Sequence, residues 1–79
     1  MDTQLRNLLA DVFGTNPADL TEKTSKDDVA SWDSLKQMDL VVSLERAYAI
    51  SLTIDDIISM QSVAAICSVL KQKGVPLED

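Results

Sequence analysis

The sequence predicts an all-α fold: a small bundle of four helices, with a long loop between the first two and a short third helix. Two observations carry this expectation. Apolar residues recur at helical spacing in three separate stretches, each preceded by a side chain able to cap a helix. The chain also lacks alternating Val- and Ile-rich runs joined by hairpin turns, and it has no internal repeat. At 79 residues it is expected to form one domain, 1–79, around a compact core. That core must be mainly aliphatic, because the aromatic residues are only Phe13, Trp32 and Tyr48.

The first helix is expected over about residues 3–13, where Leu5, Leu8, Leu9, Val12 and Phe13 fall on one face. Asp2 or Thr3 is placed to cap it and Gly14 to stop it. From Gly14 to Trp32 the helical period fails, and Asn16-Pro17, Thr and Ser residues and the charges from Glu22 to Asp28 read as a long loop. Connections of that length rarely lack structure of their own, so Leu20, Val29 and Trp32 are expected to pin it to the core.

The second helix is expected over about 34–49, capped by Asp33 and ended by Ile50-Ser51-Leu52. The short third helix, about 54–60, has Thr53 as its cap and Asp55 and Asp56 near its positive end, followed by Ile57, Ile58 and Met60. The last helix, about 62–73, carries the stripe Val63, Ile66, Cys67 and Leu70. Lys71 and Lys73 suit its negative end, and Gly74 and Pro76 terminate it. The last five or so residues read as a frayed tail.

Seven basic residues against thirteen acidic ones give a formal charge of -6, a field that repels nucleic acid phosphates and anionic lipid headgroups. No nucleic acid partner and no membrane insertion are expected, and partners recruited by charge should be basic. The same charge also serves solubility, and a monomer is expected. A lone cysteine, Cys67, excludes an internal disulfide and favours a cytoplasmic setting. On the apolar face of the last helix it reads as a core residue and not a nucleophile. Met1-Asp2-Thr3-Gln4 lacks a basic segment followed by an apolar run, and no stretch approaches a membrane span. Histidine is absent, which removes the commonest general base and metal ligand. Neither a catalytic residue nor a metal centre is expected.

The second helix has two apolar faces. At about 100° per residue, Leu40, Val41, Leu44, Ala47 and Tyr48 fall in one sector, the expected core face. Leu35, Met38 and Val42 cluster nearly opposite, where such a helix should meet water. Either the long loop folds across this stripe, or the stripe is a docking surface on which Met38 can re-pack against different partners. Asp39 and Glu45, beside or near it, can steer a basic partner, although Lys36 and Arg46 dilute the acidic field.

At the start of the second helix stands Ser31-Trp32-Asp33-Ser34-Leu35, followed by an apolar pair, Val41-Val42, a Leu44-Glu45 step and Tyr48. This pattern resembles the acyl carrier protein family, whose attachment motif is Asp-Ser-Leu at the amino end of its second helix. The resemblance extends over essentially the whole chain, taking in the long first loop, the short third helix with acidic residues at its start, and Ser-Val-Ala-Ala-Ile at 62–66. From position alone, Ser34 would be an ordinary serine following a cap.

The resemblance implies that Ser34 receives a covalent 4'-phosphopantetheine donated by coenzyme A, with Asp33 as motif residue and cap. Acyl intermediates would then be carried as thioesters for fatty acid or polyketide biosynthesis. Implied partners are a phosphopantetheinyl transferase, an acyl-loading ligase or synthase, and acyl-transfer enzymes that read Leu35, Met38, Asp39, Val42 and Glu45. It also implies that cargo can enter the core, where Ala47, Ala64 and Ala65 would leave room.

Two departures stand out. Ser31 occupies a position where the family commonly has glycine, with Trp32 following, and Lys36 and Arg46 occupy usually acidic positions. The thinner acidic patch points to a carrier of a specialised pathway, loaded by its own ligase or synthase. An aminoacyl or peptidyl carrier protein, or an unmodified helical protein-interaction domain binding through Leu35, Met38 and Val42, are the alternatives.

Overall fold

The structure, a computed structural model, describes residues 1–78; Asp79, at the end of the expected tail, lies outside them. Four α-helices follow in order: α1 Thr3–Phe13, α2 Ser34–Tyr48, α3 Ile54–Ser59 and α4 Val63–Gln72. No β-strand occurs among the described residues, although an isolated antiparallel bridge pairs Ser25 with Ser62. No helix among them is long and apolar enough to cross a membrane.

Each helix starts where a side chain satisfies a free backbone donor. Asp2, and not Thr3, caps α1 by accepting from the Leu5 amide at 2.9 Å. Gly14 closes α1 at φ 68, a left-handed conformation that suits a residue without Cβ. Thr53 and Asp56 form a reciprocal capping box at α3, the expected cap. Ser62, expected as the first residue of the last helix, is instead its cap, accepting from the Ala65 amide at 3.1 Å. Three ends also fall short of expectation, α4 stopping at Gln72 with Lys73 as its cap. Ala49 leaves α2 in a left-handed conformation at φ 53, and Met60 caps α3 and turns fully into the core.

Leu5, Leu9 and Phe13 of α1 meet Leu40, Val41 and Leu44 of α2 and Val63, Ile66, Val69 and Leu70 of α4 in one buried cluster. Burying each such side chain contributes about 1.5–3 kcal/mol. The inner face of α2 is centred differently from expectation, because Gln37 belongs to it and Ala47 does not. With Gln37, Leu40, Val41 and Leu44 defining that face, a step of about 100° turns Ala47 roughly 70° from its centre, and it is exposed. Tyr48, about 30° from that centre, is half-buried because it stands at the last position of the helix. On α4 the same geometry turns Cys67 roughly 90° from the centre of the buried face. Cys67 is therefore half-buried against the core, and Val69 takes the inner place.

The connection from α1 to α2 is anchored throughout. Leu20, Val29 and Trp32 are buried as expected, and the Trp32 ring stacks on Phe13 with centroids 4.5 Å apart. Two 3-10 turns, Pro17–Asp19 and Lys26–Asp28, give it local structure that the helical period does not register. Its middle is tied to the α3–α4 junction through the backbone. Lys26 donates to the Gln61 carbonyl at 2.9 Å, Val63 to that of Thr24 at 2.9 Å, and Ala64 to that of Glu22 at 3.1 Å.

The carboxyl-terminal segment is not the frayed tail expected from its composition. Val75 is buried, Leu77 packs against the core, and the Glu78 amide donates to Asp2 Oδ2 at 3.0 Å. The apolar side chains of Val75 and Leu77 supply the burial that holds it there. Amide donors from Glu78 and Leu5 hold the Asp2 carboxyl below its ordinary pKa.

Candidate functional site

The sharp start of α2 is made by Asp33, whose extended backbone and Oδ1, accepting from the Lys36 amide at 2.9 Å, fix the first turn. Ser34 is the first residue of that turn and is exposed. Its hydroxyl therefore stands in solvent at the positive end of a fifteen-residue helix, where a phosphodiester is favoured by about 0.3–1 kcal/mol. Ser31, where the resemblance leads one to expect glycine, has a structural role. Its hydroxyl donates to the Phe13 carbonyl at 2.7 Å and ties the approach to α2 onto the end of α1.

Leu35, Met38 and Val42 run down the outer side of α2 from Ser34, with 79%, 53% and 43% of their surfaces exposed. The long connection does not fold across them, because its own apolar residues and backbone bonds commit it to α1 and the α3–α4 junction. Of the two readings open to the sequence, coverage by the loop is the one the structure excludes.

The charges around the stripe play unequal parts. Asp39 is exposed and lies 3.9 Å from Lys36 Nζ, an ion pair too open to add much stability. A groove beside it is lined by Asp11, Lys36, Asp39, Val42, Ser43 and Arg46, so both signs of charge are mixed there. Glu45 is half-buried, and its Oε2 accepts from the Leu52 amide at 3.0 Å, which ties the α2–α3 connection to α2.

Ile54 and Ile58 of α3 are also exposed, at 74% and 63%, and were not singled out by the sequence. They stand four apart on one face of α3. Gln37 fixes where that face lies. Its Nε2 donates to the carbonyl oxygens of Ile57 at 3.0 Å and Met60 at 3.2 Å, and its Oε1 accepts from Trp32 Nε1 at 2.6 Å. The carboxyl end of α3 is thereby held against Gln37 in the first turn of α2. The spacing of Ile54 and Ile58 is visible in the sequence, but six residues are too few for a period to choose between them and Ile57.

The alanines expected to make room in the core do not line it: Ala47 and Ala64 are exposed and Ala65 is half-buried. Burial against the core pushes the Cys67 thiol pKa up.

The site is thus an exposed serine opening a capped helix, beside an uncovered apolar stripe. Residues 3–70 match the family described as the phosphopantetheine attachment site. The chain belongs to that family, a family of non-catalytic carriers loaded with covalent 4'-phosphopantetheine by a phosphopantetheinyl transferase and served by biosynthetic enzymes. A similar solved structure is the solution structure of the holo acyl carrier protein from Geobacter metallireducens. It shares 31% identity over 89% of this chain and 80% of its own, with a TM-score of 0.79. No curated protein matches the chain significantly. The identity and coverage of that solved structure place the chain in the acyl carrier protein family.

Proposed function

We propose that Ser34 is the attachment residue and that this carrier holds acyl groups, in preference to aminoacyl or peptidyl ones, while enzymes act on them. The exposure of the Ser34 hydroxyl on a capped first turn carries this reading, and the likeness to an acyl carrier protein supports the choice of cargo. When bound, the phosphopantetheine group supplies a terminal thiol on which acyl groups are held as electrophilic thioesters.

The chain's own residues do the rest. Ser34 Oγ offers the nucleophile, with the transferase bringing the base that removes its proton. Asp33 holds the first turn in the geometry that presents Oγ, and the amide end of α2 favours the negative charge placed there. Attachment at Ser34 turns delivery of an intermediate from a diffusional search into a local one at high effective concentration.

Leu35, Met38 and Val42 form the contact for the transferase, a loading ligase or synthase, and acyl-transfer enzymes; Ile54 and Ile58 extend it onto α3. Asp39 adds an exposed negative charge at the edge, and the second oxygen of Glu45 a weaker one. A single domain acting as a cytoplasmic monomer in a specialised pathway fits the lone half-buried thiol and the mixed charge beside the stripe.

Incubating the protein with coenzyme A, magnesium and a broad-specificity phosphopantetheinyl transferase tests the reading by intact mass. One phosphopantetheine is expected on the wild type and none on Ser34→Ala. Equal loading of both would move the site elsewhere, and failure of the wild type to load would refute the carrier role.

A further inference from the structure

Ser34 stands on the border between the two sides of α2. At about 100° per residue, Gln37 and Val41 lie on its inner side and Met38 and Val42 on its outer side. The first pair is buried and the second exposed. An alkyl group held near Ser34 can leave water in two ways. It can lie along the outer stripe, or it can insert between α2 and α3 into the aliphatic core.

The inner route is closed by hydrogen bonds. The Gln37 amide joins three segments at once, taking the indole N–H of Trp32 and giving its own N–H groups to Ile57 and Met60 of the α3 end. Parting α2 from α3 breaks the two bonds to α3 and leaves polar groups on both sides without partners in apolar surroundings. Each flank of this bridge has a further tie: Trp32 is stacked on Phe13, and α3 is joined to the end of α4, with Lys73 Nζ 2.8 Å from Asp56 Oδ2.

We propose that Gln37 is a specificity-determining residue that bars alkyl cargo from the interior, so that this carrier serves acyl groups that are short or polar and presents them outside the bundle. The proposal rests on the carrier reading above and narrows it to a substrate class. A long saturated chain on this protein would stay in water or on the partner-binding stripe, where it would compete with docking. A short or polar acyl group gains little from the core and loses little by remaining outside it.

The test loads wild type and Gln37→Met from acetyl-, hexanoyl- and octanoyl-coenzyme A with a broad-specificity transferase and verifies each product by intact mass. Two readings follow: methyl chemical shifts of Leu40, Met60 and Ile66, and the rate at which hydroxylamine cleaves the thioester. In the wild type neither should change with chain length. In Gln37→Met the octanoyl form should be cleaved several-fold more slowly than the acetyl form and should move the core methyl signals. Comparing chain lengths within one variant cancels any loss of basal stability, and the wild-type series stands alone if Gln37→Met does not fold. Core shifts or protection growing with chain length in the wild type would overturn the proposal, as would a folded Gln37→Met without length dependence. Absence of any mass gain is a separate outcome; it overturns the carrier reading and this proposal with it.

Discussion

On one side of α2, Leu40, Val41 and Leu44 are buried; on the other, Leu35, Met38 and Val42 face solvent, although the two sets are of similar chemistry. Their fates differ because of what is placed against them. The inner set meets α1 and α4, whereas the connection that might have covered the outer set is held elsewhere by Leu20, Val29 and Trp32 and by its bonds to residues 61–64. Apolar character is therefore a poor guide to role in this helix. One row contributes stability, and the other leaves an apolar surface in solvent, the surface proposed above for partners.

The largest effect expected from this division is on the inner side. Leu40→Ala should lower the unfolding free energy by about 2–5 kcal/mol, because it opens a cavity in a fully buried position. Denaturant melts of that variant check it, and a loss below about 0.5 kcal/mol, the range of ordinary surface substitutions, would erase the contrast.

Gln37→Ala should follow, with a loss of at least about 1–3 kcal/mol, since Trp32 Nε1 and the Ile57 and Met60 carbonyls are left without their partner. Trp32 fluorescence during unfolding reports it directly. On the outer side, Met38→Ala and Val42→Asp should change stability by no more than about 0.5 kcal/mol and leave the helical circular dichroism unchanged, while slowing modification by the transferase. Loss of fold in both would place the stripe in the core after all.

The smallest effect concerns pH and sharpens the same contrast, because it arises from groups that staple the bundle and not from the outer stripe. Asp56 is held below its ordinary pKa of 3.8 first by Lys73, then by the Thr53 amide, and Asp2 is lowered by the Glu78 and Leu5 amides. Below 3.8 the unfolded chain takes up protons that the folded chain still refuses. The stability these groups confer is thus present above that pH and is lost as pH falls through the lowered values. Melting temperature should drop on acidification, and less steeply in Asp2→Asn/Asp56→Asn than in the wild type.

Much of this was legible in the sequence for physical reasons that can be traced residue by residue. Asp33, Thr53 and Gly14 act locally, through bonds or dihedral angles within a few residues, and their roles follow from the residues beside them. Leu35, Met38 and Val42 were separable from the core because fifteen residues of α2 give a projection with two distinct faces. What escaped depends on contacts distant in sequence. Gln37 reads as a surface residue until Trp32, Ile57 and Met60 converge on it, and the tail reads as loose until Glu78 reaches Asp2. Ile54 and Ile58 escaped for another reason, since the six residues of α3 are too few for a period to separate their face from that of Ile57.

The central claim is that the hydroxyl at the start of α2 bears the arm. Fragment-ion mapping of the wild-type protein after transferase treatment tests it most directly, because trypsin leaves Ser31 and Ser34 together between Lys26 and Lys36. The added group should be found on Ser34 alone, with Ser31 unmodified. Its appearance on Ser31, or on any other serine in a protein whose Ser34 is bare, would contradict the account.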